Sequence, residues 1–203
     1  AACSTSIPNP SNTIAAPPLP TGKSKTGTQL RGPSGAAVWS TPTFDEERNA
    51  IYIATGDNYS EPATTTSDAI LCLDAATGKM IWSKQVTPGD VYNMGALAKG
   101  RDFDFGQPPI LVTLRNRRRA LLIGQKSGLV YALDPDNKGE ILWQKRLGEG
   151  GSLGGIQWGS ASDLAHMYVA VSDLRMKTIP VTSAPMGFRS ELDSSHGGGL
   201  FAL

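Results

Sequence analysis

The sequence predicts an all-β fold, and two observations carry that prediction. Charged residues make up only 18% of the 203, whereas there are 23 Gly and 14 Pro, a composition that favours turns and short strands over long helices. A phrase made of an apolar strand, a turn and a Trp-containing strand occurs as "ILCLDAATGKMIW" (70–82) and "VYALDPDNKGEILW" (130–143), and begins again as "GLFAL" (199–203). Such internal repetition indicates an architecture built from similar units.

Each phrase has the features of a β-hairpin. The apolar strand ends at Asp74 or Asp134, and a tight turn follows in which Gly78 or Gly139 allows a backbone conformation that other residues avoid. The second strand then supplies a Trp as an aromatic anchor. We therefore expect one hairpin in each repeated unit.

Further apolar runs bring each unit to about four strands. A Tyr- or Ile-rich strand is predicted before each hairpin, with an entry strand before it; these strands fall in 38–45, 49–57, 108–114, 120–128, 157–163 and 166–173. Four antiparallel strands in a repeat of this length are typical of a propeller blade. The sequence thus predicts a partial β-propeller built of four-stranded antiparallel blades.

The predicted blades cover residues 35–88, 107–148 and 154–203, the last of them cut before its final strand. Residues 1–34 are expected to be a loop or tail of a missing blade, without the charged and apolar segments of a signal peptide. Because propellers close with about four to eight blades, we expect a piece of a longer protein. A complete small β-sandwich is the alternative.

Composition argues against several classes of partner. A net charge of +1 is not that of a nucleic-acid-binding domain, and the Arg-rich stretch 115–120 is expected to be an exposed turn between strands. No apolar run approaches the roughly 20 residues of a membrane span. Cys72 lies in an apolar strand and is expected in the core, whereas the role of Cys3 is open.

The hairpin phrase resembles the tryptophan-docking motif of pyrroloquinoline quinone (PQQ) propeller repeats, in which the Trp packs between blades. The resemblance implies that Trp82 and Trp143 belong to the scaffold. Residues 32–90, with "DFDFGQPPIL" (102–111) and 154–173, are more specific: they resemble the quinoprotein alcohol dehydrogenases, and among them the polyvinyl alcohol dehydrogenase type.

That resemblance implies candidate site residues, each with a simpler alternative. Trp39 occupies the place of the Trp on which PQQ stacks, or is a core Trp. Asp57 occupies the place of a calcium ligand, in keeping with the oxygen ligands that Ca²⁺ takes, or is a turn residue. Lys126 would bond the quinone oxygens, or is a solvated Lys. Gln157, in "GGIQWG", is a further candidate, for an amide near the cofactor.

The family's general base is the position where this sequence departs from the pattern. The stretch "TPGDVYNMG" places Asn93 where the methanol and ethanol dehydrogenases have an Asp. An amide cannot take a proton at neutral pH, so another carboxylate is required or the site differs. Asp90 is the nearest carboxylate in sequence, and it is expected to shape the turn.

Taken together, the resemblance implies a periplasmic PQQ- and calcium-dependent dehydrogenase that oxidises an alcohol and passes electrons to a cytochrome c. The substrate class that it implies is polyvinyl alcohol or another secondary alcohol. The alternative is a cofactor-free propeller that acts as a scaffold or sensor, as related propellers do in outer-membrane assembly. The two differ in one testable respect, because only the enzyme needs Trp39, Asp57 and Lys126 to lie together.

Overall fold

A computed structural model of the protein describes residues 19–23, 26–93, 100–163, 165–183 and 187–203. Within these ranges the regular elements are strands, which confirms the predicted all-β class, and no helix is long and apolar enough to cross a bilayer. The strands are β1 (Leu19–Lys23), β2 (Gln29–Gly32), β3 (Thr43–Asp45), β4 (Ala50–Ala54), β5 (Ala69–Asp74), β6 (Met80–Gln85), β7 (Ile110–Thr113), β8 (Arg119–Gly124), β9 (Leu129–Asp134), β10 (Glu140–Arg146), β11 (Ala161–Ser162), β12 (Met167–Val171), β13 (Met176–Pro180), β14 (Phe188–Leu192) and β15 (Gly199–Ala202).

The strands form three consecutive antiparallel sheets and two separate hairpins. The first sheet has the order β3-β4-β5-β6, the second β7-β8-β9-β10 and the third β11-β12-β15. The hairpins are β1-β2, before the first sheet, and β13-β14, which is inserted between β12 and β15. Sequence-adjacent strands pairing in antiparallel four-stranded sheets are the blades of a propeller.

The sheets pack face to face, and β8 shows why. Side chains alternate across a strand, so Leu121 and Ile123 join Tyr52 in a core shared with the first sheet. Ala120 and Leu122 point the other way, into a core shared with the third sheet. Every residue of β8 is consequently buried, which is why its sequence is apolar without alternation.

Trp82 of β6 contacts the second sheet. It is buried, and its ring centroid lies 5.9 Å from that of Tyr52. A Cβ added to Gly139, in the β9–β10 turn, would lie 2.8 Å from Cζ3 of Trp82. This packing agrees with the scaffold role inferred for Trp82. Trp143, on β10, is 40% exposed.

The structure differs from the sequence-based expectation at two places. The range 1–34, predicted to be a loop or tail, contains the hairpin β1-β2. Arg119, predicted to lie in an exposed turn, is buried and forms an ion pair with Asp45 of the first sheet, because β8 already begins at Arg119, inside the predicted turn. Cys72 is buried, as predicted, and is a free cysteine; Cys3 lies outside the described residues.

Candidate active site

The candidate site lies where the second strand of each sheet ends. Asp57 follows β4, and Lys126 follows β8 at the equivalent place in the second sheet. The first of these exits passes through Gly56, whose backbone N–H donates to the Ala37 carbonyl at 2.8 Å. A Cβ at Gly56 would collide with the Asp104 carboxylate, so the glycine lets that carboxylate approach the backbone.

Lys126 joins two carboxylates at the centre of the site. Its Nζ donates to Oδ1 of Asp102 at 2.9 Å and to Oδ2 of Asp104 at 2.7 Å. Oδ1 of Asp104 accepts the backbone N–H of Asp57 at 2.7 Å, and Oδ2 of Asp57 accepts the backbone N–H of Tyr92 at 2.8 Å. Since all four charged groups are buried, these contacts act in a medium where charge interactions are strong.

Sequence reasoning missed Asp102 and Asp104 as site residues. They belong to the connection between the first two sheets, and they flank one Phe in "DFDF". Asp90 holds this segment: its carboxylate accepts the backbone N–H groups of Arg101 at 2.5 Å and Phe103 at 3.0 Å. Asp90 therefore shapes the turn, as expected. The two aspartates on either side of an apolar residue were the one feature of the sequence that could have indicated a site. Their position beside Lys126, however, depends on how the sheets pack.

The pKa values follow from burial and from these neighbours. Burial, with Asp104 close by, raises the pKa of Asp57 to about 8. Burial also raises the pKa of Asp102 to about 6, against the opposing effect of Lys126. Burial acts in the same direction on Asp104, but hydrogen bonds from Lys126 and Asp57 outweigh it and hold that pKa below its ordinary value. The pKa of Lys126 is raised, because hydrogen bonds to both carboxylates overcome its desolvation.

The aromatic ring of Trp39 lies next to the charged residues. Nζ of Lys126 lies 5.4 Å from the Trp39 ring centroid, within the range of a cation–π contact. The ring packs against Gly106, where a Cβ would lie 2.7 Å from Cη2 of Trp39. Trp158 meets it edge-on with centroids 5.5 Å apart. Trp39 is 36% exposed and Trp158 80% exposed, so aromatic surface remains open for a ligand.

The two remaining predicted residues lie at the edge of the site. Gln157 is half-buried, and its Nε2 donates to the Gly154 carbonyl at 3.0 Å. Its backbone carbonyl approaches Gly106, on which Trp39 rests. Nδ2 of Asn93 donates to the Tyr59 carbonyl at 2.7 Å. The structure therefore brings Trp39, Asp57 and Lys126 together, with the Gln157 backbone beside them.

The three aspartates could hold a metal ion. One carboxylate oxygen from each of Asp57, Asp102 and Asp104 lies within 4.8 Å of the other two. This cluster holds three buried carboxylates and one ammonium, and a bound cation would offset the excess negative charge. Ca²⁺ takes six to eight oxygens, so three carboxylates would leave positions for oxygens of a second ligand. The donor set fits a hard cation bound together with an oxygen-rich cofactor.

Consecutive antiparallel sheets stacked face to face, two of them four-stranded, define a partial β-propeller. Residues 16–146 match the family model described as "Glucose/ethanol/alcohol dehydrogenase, beta-propeller domain". The match covers more than half of the chain, so the chain belongs to this family of PQQ propellers.

Two polyvinylalcohol dehydrogenases are similar in sequence. One from a Pseudomonas species is 42% identical over 164 residues, and one from Sphingopyxis sp. (strain 113P3) is 40% identical over 168 residues. Each alignment covers 77% of this chain but 26% of the relative. The chain thus spans about a quarter of the length of the curated relatives it matches.

The fold is similar to that of solved quinoprotein structures. The crystal structure of quinohemoprotein alcohol dehydrogenase from Comamonas testosteroni superimposes with a TM-score of 0.57 at 20% identity, covering 83% of this chain and 32% of that one. At this identity the likeness concerns the fold. It agrees with the predicted partial propeller.

Proposed function

We propose that the whole protein is a PQQ- and calcium-dependent dehydrogenase that oxidises secondary alcohols, polyvinyl alcohol among them, to carbonyl compounds. The observation that carries the proposal is the buried group of Asp57, Asp102, Asp104 and Lys126 beside the exposed ring of Trp39. A cofactor-free scaffold would have no use for three buried carboxylates around one lysine, because buried charges are costly unless they serve a ligand or a reaction. The similarity to polyvinylalcohol dehydrogenases supports the substrate class.

Asp57 and Asp104 are the proposed metal ligands. Both are fixed by backbone contacts, since Asp57 accepts the Tyr92 N–H and Asp104 accepts the Asp57 N–H. When bound, PQQ would accept two electrons from the alcohol, and the cation would polarise its reactive carbonyl. Trp39 would support the planar ring system by stacking. Lys126 has three N–H donors, of which two reach Asp102 and Asp104, and the third would orient a quinone oxygen.

Asp102 is the proposed general base in place of Asn93. Both oxygens of Asp104 accept hydrogen bonds from protein N–H groups, whereas Asp102 is held through Oδ1 by Lys126. The pKa of Asp102, raised by burial to about 6, lies close to neutral pH, where a base is both ionised and able to take a proton. Its backbone φ of 59° is in the left-handed region, a conformation that is kept at functional sites at some cost in strain.

The proposal also covers the electron acceptor of the enzyme and its cellular compartment. The sequence similarity to quinohemoprotein alcohol dehydrogenases supports a haem protein, a cytochrome c or a haem domain, as the electron acceptor. We propose a periplasmic location because that is where the quinoprotein dehydrogenases, which the sequence resembles, function.

The test uses the full-length protein freed of metal and cofactor. Titration with PQQ, with and without Ca²⁺, is expected to show calcium-dependent binding, followed by dye reduction on adding a secondary alcohol. Trp39→Ala and Asp57→Asn should weaken binding. Asp102→Asn should retain binding but lower kcat by about 10²-fold or more, the usual contribution of a general base. Asp136→Asn, in an exposed turn, is the matched control and should change neither quantity.

Two results would contradict the proposal. Failure to bind micromolar PQQ in the presence of Ca²⁺ would leave the propeller as a scaffold. Full activity of the Asp102→Asn variant would remove Asp102 as the base while leaving the rest intact.

A further inference from the structure

The inserted hairpin β13-β14 stands at the same end of the sheets as the candidate site. It begins just after β12, the second strand of the third sheet, at the place where Asp57 and Lys126 follow the second strands of the other two sheets. Backbone contacts link this exit to the site, since the Ser172 N–H donates to the Gly155 carbonyl at 2.9 Å. Gly155 in turn lies so close to the Lys126 carbonyl that a Cβ would collide with it.

The base of the hairpin is firmly anchored. The Asp173 carboxylate accepts backbone N–H groups of Glu149 at 2.8 Å, Gly150 at 3.1 Å and Gly155 at 3.2 Å. Within the hairpin, Lys177 forms an ion pair with Asp193 at 2.6 Å. The two strands therefore project from a fixed base that lies next to the segment carrying Gly150 and Gly155.

One face of the hairpin is uncharged, with apolar pairs on either side of a hydroxyl pair. Directly opposed residues in an antiparallel pair share a face, as do alternate residues along each strand. The cross-strand pairs on this face are Met176 with Leu192, Thr178 with Ser190 and Pro180 with Phe188. The opposite face carries Lys177 paired with Glu191, and Ile179 paired with Arg189.

This face is uncovered within the described part of the chain. Leu192 is 62% exposed, Met176 46% and Phe188 41%, and the remaining members of the three pairs are exposed as well. An isolated two-stranded hairpin is marginally stable in water, and a clustered apolar surface usually marks a binding site. The hairpin thus has the properties of a surface completed by a ligand.

We propose that this face binds the chain of a hydroxylated aliphatic polymer and guides it toward the candidate site; the inference rests on the proposed function. Such a polymer presents methylene groups and secondary hydroxyls at short intervals. The outer pairs would contact the methylenes, and Thr178 and Ser190 would exchange hydrogen bonds with the hydroxyls. The absence of charged side chains from these three pairs suits a neutral polymer better than a charged protein partner, whose interfaces carry polar and charged rims.

The test compares polymer and short substrates in the full-length, cofactor-loaded protein. The double variant Met176→Ser/Phe188→Ser should raise KM for polyvinyl alcohol about tenfold, because apolar contact area is lost. KM and kcat for 2,4-pentanediol should not change, since the reacting site is intact. Arg189→Gln/Glu191→Gln, on the opposite face, is the control and should leave both substrates unaffected. Electrophoresis of the apoprotein through gels containing polyvinyl alcohol should show retardation of the wild type and the control but not of the double variant.

Each contrary result has a separate meaning. Unchanged polymer KM and unchanged retardation would overturn the docking surface, and so would equal loss of activity toward both substrates. If the double variant loses only self-association, measured by sedimentation, or only the reduction of a cytochrome, the polymer-docking surface is overturned and the face binds a protein partner instead. If the wild type is retarded by polymer but oxidises neither substrate, the proposed function fails while the binding surface stands.

Discussion

Asp68 is a buried carboxylic acid next to the candidate site, and it serves neither as a ligand nor as a partner there. It has no exposed surface, and neither carboxylate oxygen has a hydrogen-bond partner among the described residues. Burial, with the charges of Asp90 and Asp104 nearby, raises the pKa of Asp68 to about 9. The residue is therefore neutral in the folded protein at pH 7 and ionised in the unfolded chain.

This difference predicts that the free energy of unfolding falls as the pH rises. A carboxyl whose folded pKa is raised supports folding fully below its unfolded pKa near 4, and that support is lost as pH rises toward 9. Asp68→Asn should remove the loss, so its advantage in unfolding free energy over the wild type should grow by about 1 kcal/mol per pH unit. Urea unfolding of the metal-free wild type and variant at pH 5, 7 and 8.5 measures this difference in unfolding free energy. An advantage independent of pH would show that Asp68 is ionised when folded.

At the scale of elements, the two repeated hairpin turns offer a matched comparison. Gly78 and Gly139 hold equivalent places, with φ of 69° and 71°. A Cβ at Gly78 meets nothing within 4 Å, whereas one at Gly139 would meet Trp82 at 2.8 Å. Gly78→Ala should cost only the left-handed backbone penalty of about 1–2 kcal/mol, and Gly139→Ala distinctly more. Equal losses in thermal or urea unfolding would mean that Trp82 does not require this close packing.

A buried ion pair also joins the first two sheets. Asp45 at the end of β3 accepts hydrogen bonds from Arg119 of β8 and from the Tyr52 hydroxyl, the latter at 3.0 Å. Asp45→Ala should lower the unfolding free energy by about 3–5 kcal/mol, because the buried guanidinium loses its buried partner and keeps only the exposed Glu47 carboxylate, 3.5 Å away. Tyr52→Phe removes one neutral donor and should cost about 1 kcal/mol. A loss from Asp45→Ala no larger than that from Tyr52→Phe would show that the arginine finds another partner or water.

At the scale of the whole molecule, burial is uneven among the sheets. The second sheet lies between two cores, one shared with each neighbour, and β8 is buried throughout. Both strands of the inserted hairpin are exposed except at Ile179. Amide hydrogen exchange should therefore be slowest in β8 and β9 and fastest in β13 and β14. Uniform exchange rates across these strands would contradict the stacked arrangement.

Features that depend on neighbouring residues could be predicted from the amino-acid sequence. Strands follow from apolar runs, the hairpins from Asp and Gly at the turns, and the buried Cys72 from its strand. These are local effects, set by the two-residue period of a strand and by turn chemistry. The resemblance added Trp39, Asp57 and Lys126 because they stand next to recognisable strands and turns.

Which connecting segments contact one another depends on how the sheets pack, and the sequence did not predict it. Asp102 and Asp104 reach Lys126 because the segment from 100 to 107 is held by Asp90 and crosses between two stacked sheets. Arg119 is buried because the neighbouring sheet supplies Asp45, and the base of the inserted hairpin lies near the site because Asp173 binds the backbone of Gly150 and Gly155. Such contacts join residues far apart in the chain, and no local pattern specifies them, since packing between sheets sets their distance and burial.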